Sequence, residues 1–352
     1  MDFWDQIEVN DEMFDVDAVE AGAWVPGPYG LGDKRGTFNE VTPVRTAAAL
    51  ARLDVSRPVK TYNLSETLFN DFPAHGDLAY QQRLAIAGLQ PPAGMDAFKK
   101  QGGVVIQEET FGPNRMSVTE ERVSLDYKMG TNISGLTHCG VGNMFYNGHR
   151  GPELARPWGV VALDTATMGA VVTRGVVADV VGFKVATGVN SDVFEAPNGR
   201  PVLNTGYRIT VEDIVAALAW FGVRDPIGPG DVVLVRTGWR HLIGSDPDRY
   251  LTDIPPGPYL RECRYLARNR PALLGSDTWC FETTDPGVNG GHSMAAHQEL
   301  LMRFGVRIGE AVPTCSLVDD GVHDFVFCFN PQRAKGAVSS NAPPLALANP
   351  PS

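Results

Sequence analysis

A chain of 352 residues that is 43% hydrophobic and 20% charged has the apolar content to bury a sizeable core, which excludes a disordered polymer. Its forty-one acidic and thirty basic side chains give a formal charge of -11, a sign that repels phosphate backbones and anionic lipid, so neither nucleic acid nor a membrane is an expected partner. The five cysteines are odd in number, widely spaced and without a Cys-x-x-Cys pair, the pattern of reduced, buried thiols.

The first twenty residues hold eight acids and no Lys or Arg, the reverse of a secretory leader, and no apolar run reaches membrane-spanning length; a cytoplasmic protein is expected. Residues 1–30 read as an acidic N-terminal arm, 31–340 as a single catalytic domain, and 341–352, with Pro343, Pro344, Pro350 and Pro351, as an extended tail. Both ends are expected to lie over the domain surface or a partner subunit. Between them, residues 59–64, 104–107, 231–235, 272–274 and 325–329 read as strands, several apolar enough to be buried on both faces, and a mixed α+β core follows. Thr210 caps a helix with Asp213 three residues on, and Val211, Ile214, Val215 and Leu218 form its apolar stripe.

A second helix is expected over 294–304. Met294, Leu301 and Phe304 share one face, His297 lies on it, and the imidazole therefore points inward. Residues 306–310 alternate as a strand with Glu310 on the side of Val306 and Ile308. An inward carboxylate needs a partner, so His297 and Glu310 imply a polar site inside the fold; a satisfied core histidine and a glutamate held by backbone amides are the bland alternative.

Six blocks carry a family resemblance. Gly32-Asp-Lys-Arg-Gly36-Thr-Phe-Asn39-Glu-Val-Thr42-Pro43, Tyr62-Asn-Leu64-Ser65, Arg174-Gly175-Val176, the run from Gly230 to Trp239, Gly275-Ser276-Asp277-Thr278, and His297 with Glu310 stand in order along most of the chain. Together they resemble the cyclase family that includes kynurenine formamidase and isatin hydrolase. The resemblance implies a swivelling β/β/α fold, a β-rich core flanked by helices, assembled as a homo-oligomer. Family members that bind manganese or zinc carry His-x-Gly-Thr-His-x-Asp and a further His four residues on. Here those four positions are Ser134, His138, Gly140 and Met144, and only His138 is retained.

A hydroxyl, a hydrogen and a thioether do not replace two imidazoles and a carboxylate around such a cation, so no cofactor is expected. A reduced zinc or manganese site of His138, His297 and Glu310 is the alternative, because two histidines and one carboxylate suffice for a catalytic zinc. The resemblance implies hydrolysis of an amide, lactam or related activated carbonyl, with His138 as general base titrating near neutral pH, His297 and Glu310 as orienting or acid groups, and Thr137 near the oxyanion. A metal-independent cyclase, dehydratase or ring-opening enzyme is the second reading, and a non-catalytic small-molecule binder the third. Cys139 as a nucleophile ranks lower, since adjacent strand residues face opposite sides. Phe38, Phe72, Phe145, Tyr146 and Trp279 are candidate contacts for a small aromatic substrate.

Overall fold

The computed structural model describes residues 2–76 and 79–351. Its main sheet has nine strands, numbered here in chain order: β1 Lys60–Asn63, β2 Asn132–Ser134, β3 Val171–Asp179, β4 Val232–Arg236, β5 Leu273–Ser276, β6 Arg307–Glu310, β7 Asp324–Phe329, β8 Ser339–Ser340 and β9 Leu345–Ala348. They lie in the order β1-β9-β7-β3-β4-β5-β6-β2-β8. The inner four, β3 to β6, are parallel, and the flanking pairs are antiparallel. The parallel strands are buried on both faces; β4 accordingly reads as a nearly continuous apolar run, while β3, β5 and β6 also bury Arg174, Ser276 and Glu310.

One face is covered by α1 (Val211–Trp220), α2 (Leu260–Ala267) and α3 (Ala295–Gln298), the last continuing as a wider π-helical turn through Phe304. The expected cap of α1 is present: the Thr210 hydroxyl accepts from the Asp213 amide at 3.1 Å, and the Asp213 carboxylate accepts from the Thr210 amide at 3.0 Å. Its stripe is narrower than expected, because Ile214 and Leu218 face the core with Ala217 while Val215 turns to solvent. Met294 has a left-handed backbone (φ 49°) and precedes the helix that the sequence starts there. The opposite face packs Leu64, Val177, Leu234, Phe325 and Phe327 into a second core.

The motif blocks hold this sheet together. Arg174 on β3 donates to Asp231 before β4 and to Asp324 on β7, each at 2.9 Å, and so ties three neighbouring strands. At Gly175 a β-carbon would lie 2.4 Å from the Phe325 ring, so any larger residue would push β7 away. Asp277 accepts from the amides of Thr237 and Gly238 at 2.8 and 2.9 Å, joining the ends of β4 and β5. Gly36 lies against the Gly305 carbonyl, which leaves 2.1 Å for a β-carbon, and locks the N-terminal motif onto the turn between α3 and β6.

Both chain ends are more integral than expected. Trp4 and Ile7 of the acidic arm insert into the helical core, Trp4 within 6.4 Å of the Phe304 ring. The arm's backbone is held by Arg264 and Arg268, which donate to the carbonyls of Asn10, Glu12 and Ile7. Its acids mask two core anchors in the sequence. At the other end, the expected tail forms β9 between β1 and β7, with Ala346 and Ala348 buried; the prolines only flank the strand. Among the described residues, no helix is long and apolar enough to cross a membrane. Because Ile7 is 1% exposed, Ile7→Ala is expected to lower the unfolding free energy by about 2–5 kcal/mol, measured by urea denaturation; a change near zero would mean that the arm is not docked in solution.

Candidate active site

At the C-terminal ends of β5 and β6 the chain leaves the sheet around a cavity of about 590 Å³. Glu310 ends β6, the segment after β5 brings Trp279 to the cavity and Glu282 behind it, α3 carries His297, and the turns on either side of β2 bring Lys128 and His138. Phe72 and His75 form the outer wall, with His75 edge-on to Trp279 at 4.4 Å between ring centroids. The walls are mainly apolar, with Lys128, His138, His297 and Glu310 among the polar groups set into them.

His297 and Glu310 are 1% and 3% exposed and meet at 3.1 Å between Nε2 and Oε1. The other ring nitrogen, Nδ1, is 2.6 Å from Oε1 of Glu282. Glu282 is anchored by the first turn of α3, accepting from the amides of Ala296 and His297 at 3.1 and 2.7 Å. An ionised carboxylate only accepts, so a ring held between two of them donates from both nitrogens and is an imidazolium. Burial disfavours that cation, yet the hydrogen bonds and charges of Glu282 and Glu310 outweigh it and hold the pKa up to about 9. Beyond Glu310 lies Lys128, whose ammonium donates to Oε2 of Glu310 and, at 2.9 Å, to the Ser134 hydroxyl. Against burial, Lys128 and His297 hold the Glu310 carboxyl well below the usual carboxylate range. Lys128, Glu310, His297 and Glu282 thus form a chain of alternating charge that cancels over its length, the condition under which buried ions are tolerated.

His138 is on the same cavity but carries none of these hydrogen bonds. Burial first, then the charges of Lys128 and His297, push its pKa down to about 3, so the expected titration near neutral pH is not what this environment gives. It is a neutral imidazole across the neutral range. Cys139 also lines the cavity, contrary to strand alternation, because the segment is a turn. Burial pushes its thiol up to about 12, which removes the thiolate that a nucleophile requires.

The three altered motif positions each have a structural account. The Ser134 hydroxyl receives Lys128. A β-carbon at Gly140 would lie 2.3 Å from the Met144 carbonyl, so the turn has no room for an aspartate. The Met144 side chain packs with Val19, Val141 and Met302 in a separate apolar cluster. The three metal-type donors that lie within 4.8 Å of one another are Cys280, His297 and Glu310; Cys280, not His138, completes the group among the described residues. Burial raises the Cys280 thiol well above its ordinary range, which opposes its acting as a thiolate ligand.

Of the other candidates, Phe72 and Trp279 line the cavity and Phe38, Phe145, Tyr146 and Thr137 do not. Phe38 is buried on the opposite side of the sheet beneath the Arg307 guanidinium, 4.6 Å from its ring. Tyr146 is a buried strut whose hydroxyl donates to Asp33 at 2.7 Å. Phe145 packs half-buried against the Gly140 turn, and Thr137 is 5% exposed. Nearness to a motif along the chain does not select a face. Lys128 and Glu282 were missed, since one stands in a polar turn and the other within a Phe-Glu-Thr-Thr run with no readable period.

The Cyclase family model matches residues 62–283, more than half of the chain. The chain belongs to the cyclase family. Among solved structures, one described as a novel cyclase superposes with a TM-score of 0.72 at 23% identity, over 91% of this chain and 98% of that one. Isatin hydrolase A from Ralstonia solanacearum gives 0.56 at 16%, over 88% and 98%. An isatin hydrolase bound to the product analogue thioisatinate gives 0.55 at 17%, over 88% and 100%. No curated protein matches. These likenesses establish the fold, and the expected cyclase-family architecture is the observed one.

His297 takes its proton from an ordinary pKa of 6.5 to about 9 on folding, so its contribution to stability is full below pH 6.5 and lost as pH rises through about 9. Unfolding free energy is expected to fall by roughly 1–3 kcal/mol across that window, and less steeply in Glu282→Gln. Chemical denaturation at a series of pH values measures it; an identical slope in the variant would remove Glu282 from the account.

Proposed function

We propose that this chain is a metal-independent enzyme that moves a proton at an acidic position beside a carbonyl of a small, largely aromatic molecule, leading to ring closure, dehydration or ring opening. The observation that carries the reading is the convergence, on one wall of an apolar cavity, of a neutral His138 with the charge chain that ends in Lys128. His138 is unprotonated throughout the neutral range and accepts the proton; with a pKa of about 3 it is a weak base, so its substrate must be activated. Lys128 donates to the carbonyl oxygen as negative charge develops there, in a site already arranged to hold it. That charge in turn raises the basicity of His138. Glu310 aims Lys128 and His297 and, held ionised, does not act as an acid. Phe72 and Trp279 supply flat apolar walls for an aromatic ring.

The metal reading is not favoured by the residues present: Ser134 and Glu310 engage an ammonium, Gly140 leaves no room for a carboxylate, Met144 faces another cluster, and both nitrogens of His297 are committed to carboxylates. A second reading, hydrolysis of an activated amide or lactam by the same groups, is supported by the fold shared with the isatin hydrolases. In it His138 draws a proton from the attacking water.

Aryl formamides, lactams and polycarbonyl aromatic precursors, followed by absorbance and mass spectrometry, separate the two by product. On whichever substrate turns over, His138→Ala and His138→Gln are expected to lower kcat about 10²–10⁴-fold, and Lys128→Met about 10²–10³-fold. Near-full turnover in folded His138 variants overturns its role. Saturable binding with no turnover of any compound favours the non-catalytic reading instead.

A further inference from the structure

The polar wall of the cavity and the residues behind it are built like a cation site. Cys280, His297 and Glu310 present donor atoms within 4.8 Å of one another, all three buried, and His297, Glu310 and His138 line the cavity. What Glu310 engages on its free oxygen is the tip of a lysine. Lys128 is directed there by a fixed turn: its amide donates to Oδ1 of Asp126 at 2.7 Å, and its carbonyl accepts from Nδ2 of Asn132 at 3.1 Å. Its side chain is 17% exposed, and its ammonium spans Ser134 Oγ and Glu310. The charge is therefore delivered by a tether that is braced at its base and bonded at its tip.

We propose that the Lys128 ammonium is the resident cation of this site, standing against Glu310 where a divalent ion would otherwise find its carboxylate, and that its presence keeps such ions out. A divalent ion entering beside Glu310 would meet two positive groups, Lys128 and the doubly hydrogen-bonded His297, and would have to displace one of them. With Lys128 gone, Glu310 loses a counter-ion and the pocket side of its carboxylate opens. An imidazole placed at Ser134, the position that now accepts the ammonium, then adds to Glu310 and to His138 a donor set of the kind that suits zinc or manganese. The inference deepens the metal-independent reading of the site, but it is tested on metal content, so loss of activity in a variant does not enter the result.

Chelator-treated wild type, Lys128→Ala/Ser134→His and the same double variant carrying Glu310→Gln are each dialysed against Mn²⁺ and, separately, Zn²⁺, and bound metal is measured by elemental analysis. The double variant is expected to hold about one equivalent of at least one of the two ions, the wild type less than about a tenth, and Glu310→Gln to abolish the gain. A second reading on the native protein covers a double variant that does not fold: millimolar Mn²⁺ or Zn²⁺ is expected to raise the wild-type melting temperature by less than about 1 °C. The proposal is overturned by a wild type that holds a full equivalent or is stabilised by either ion, by a folded double variant that holds no more than wild type, or by a gain that survives Glu310→Gln.

Discussion

The carboxylate of Glu310 ends the last parallel strand inside an apolar cavity, and the geometry of the site follows from what is needed to keep it charged there. An ion at that depth is tolerated only when opposite charges and hydrogen-bond donors surround it. Lys128 arrives from one side and His297 from the other, and His297 in turn requires Glu282. Each partner is fixed by a different element: a turn before β2, the helix α3, and the segment that follows β5. Removing any one leaves the buried charges unbalanced, so the four residues behave as one unit and their single substitutions are not additive.

This arrangement also divides the labour between the two histidines. Both lie beside the same charges, His297 fully and His138 partly buried, yet one is held as a cation and the other as a neutral ring. His297 has a carboxylate at each nitrogen, whereas His138 has no carboxylate bonded to it, and burial with the Lys128 and His297 charges outweighs the attraction of Glu310. Identical side chains on one cavity thus take opposite protonation states at neutral pH. The cysteines show the same logic in reverse: burial and the nearby carboxylates outweigh the Lys128 charge and leave Cys139 and Cys280 protonated.

Much of the framework was legible in the sequence because it follows local rules. Apolar runs gave β4 and β5, alternation gave β6, the Thr210–Asp213 pair gave the start of α1, and the inward direction of His297 and Glu310 followed from helical and strand periods. By contrast β3, interrupted by Thr173, Arg174 and Gly175, was not read as a strand. The aromatic residues did not follow, because a ring beside a motif is carried to whichever face the local backbone turns: Trp279 and Phe72 to the cavity, Phe38 through the sheet to the other core, Tyr146 to Asp33. The two chain ends were misjudged for a related reason. Composition made one an acidic arm and the other a proline-flanked tail, while Trp4, Ile7 and the small alanines of β9 are buried by partners far away along the chain.

The sequence by itself determined the family pattern, the α+β class, the loss of three ligand-type residues at Ser134, Gly140 and Met144, and the retention of His138, His297 and Glu310. Only the tertiary structure decided what stands in the place of those losses. Lys128 lies in a turn whose sequence carries no periodic signal, and its ammonium meets Glu310 across 182 positions of chain. Periodicity reports which way a side chain faces its own element, but the sign of the charge it meets there depends on long-range packing, and with burial that sign shifts His138, His297 and Glu310 in different ways.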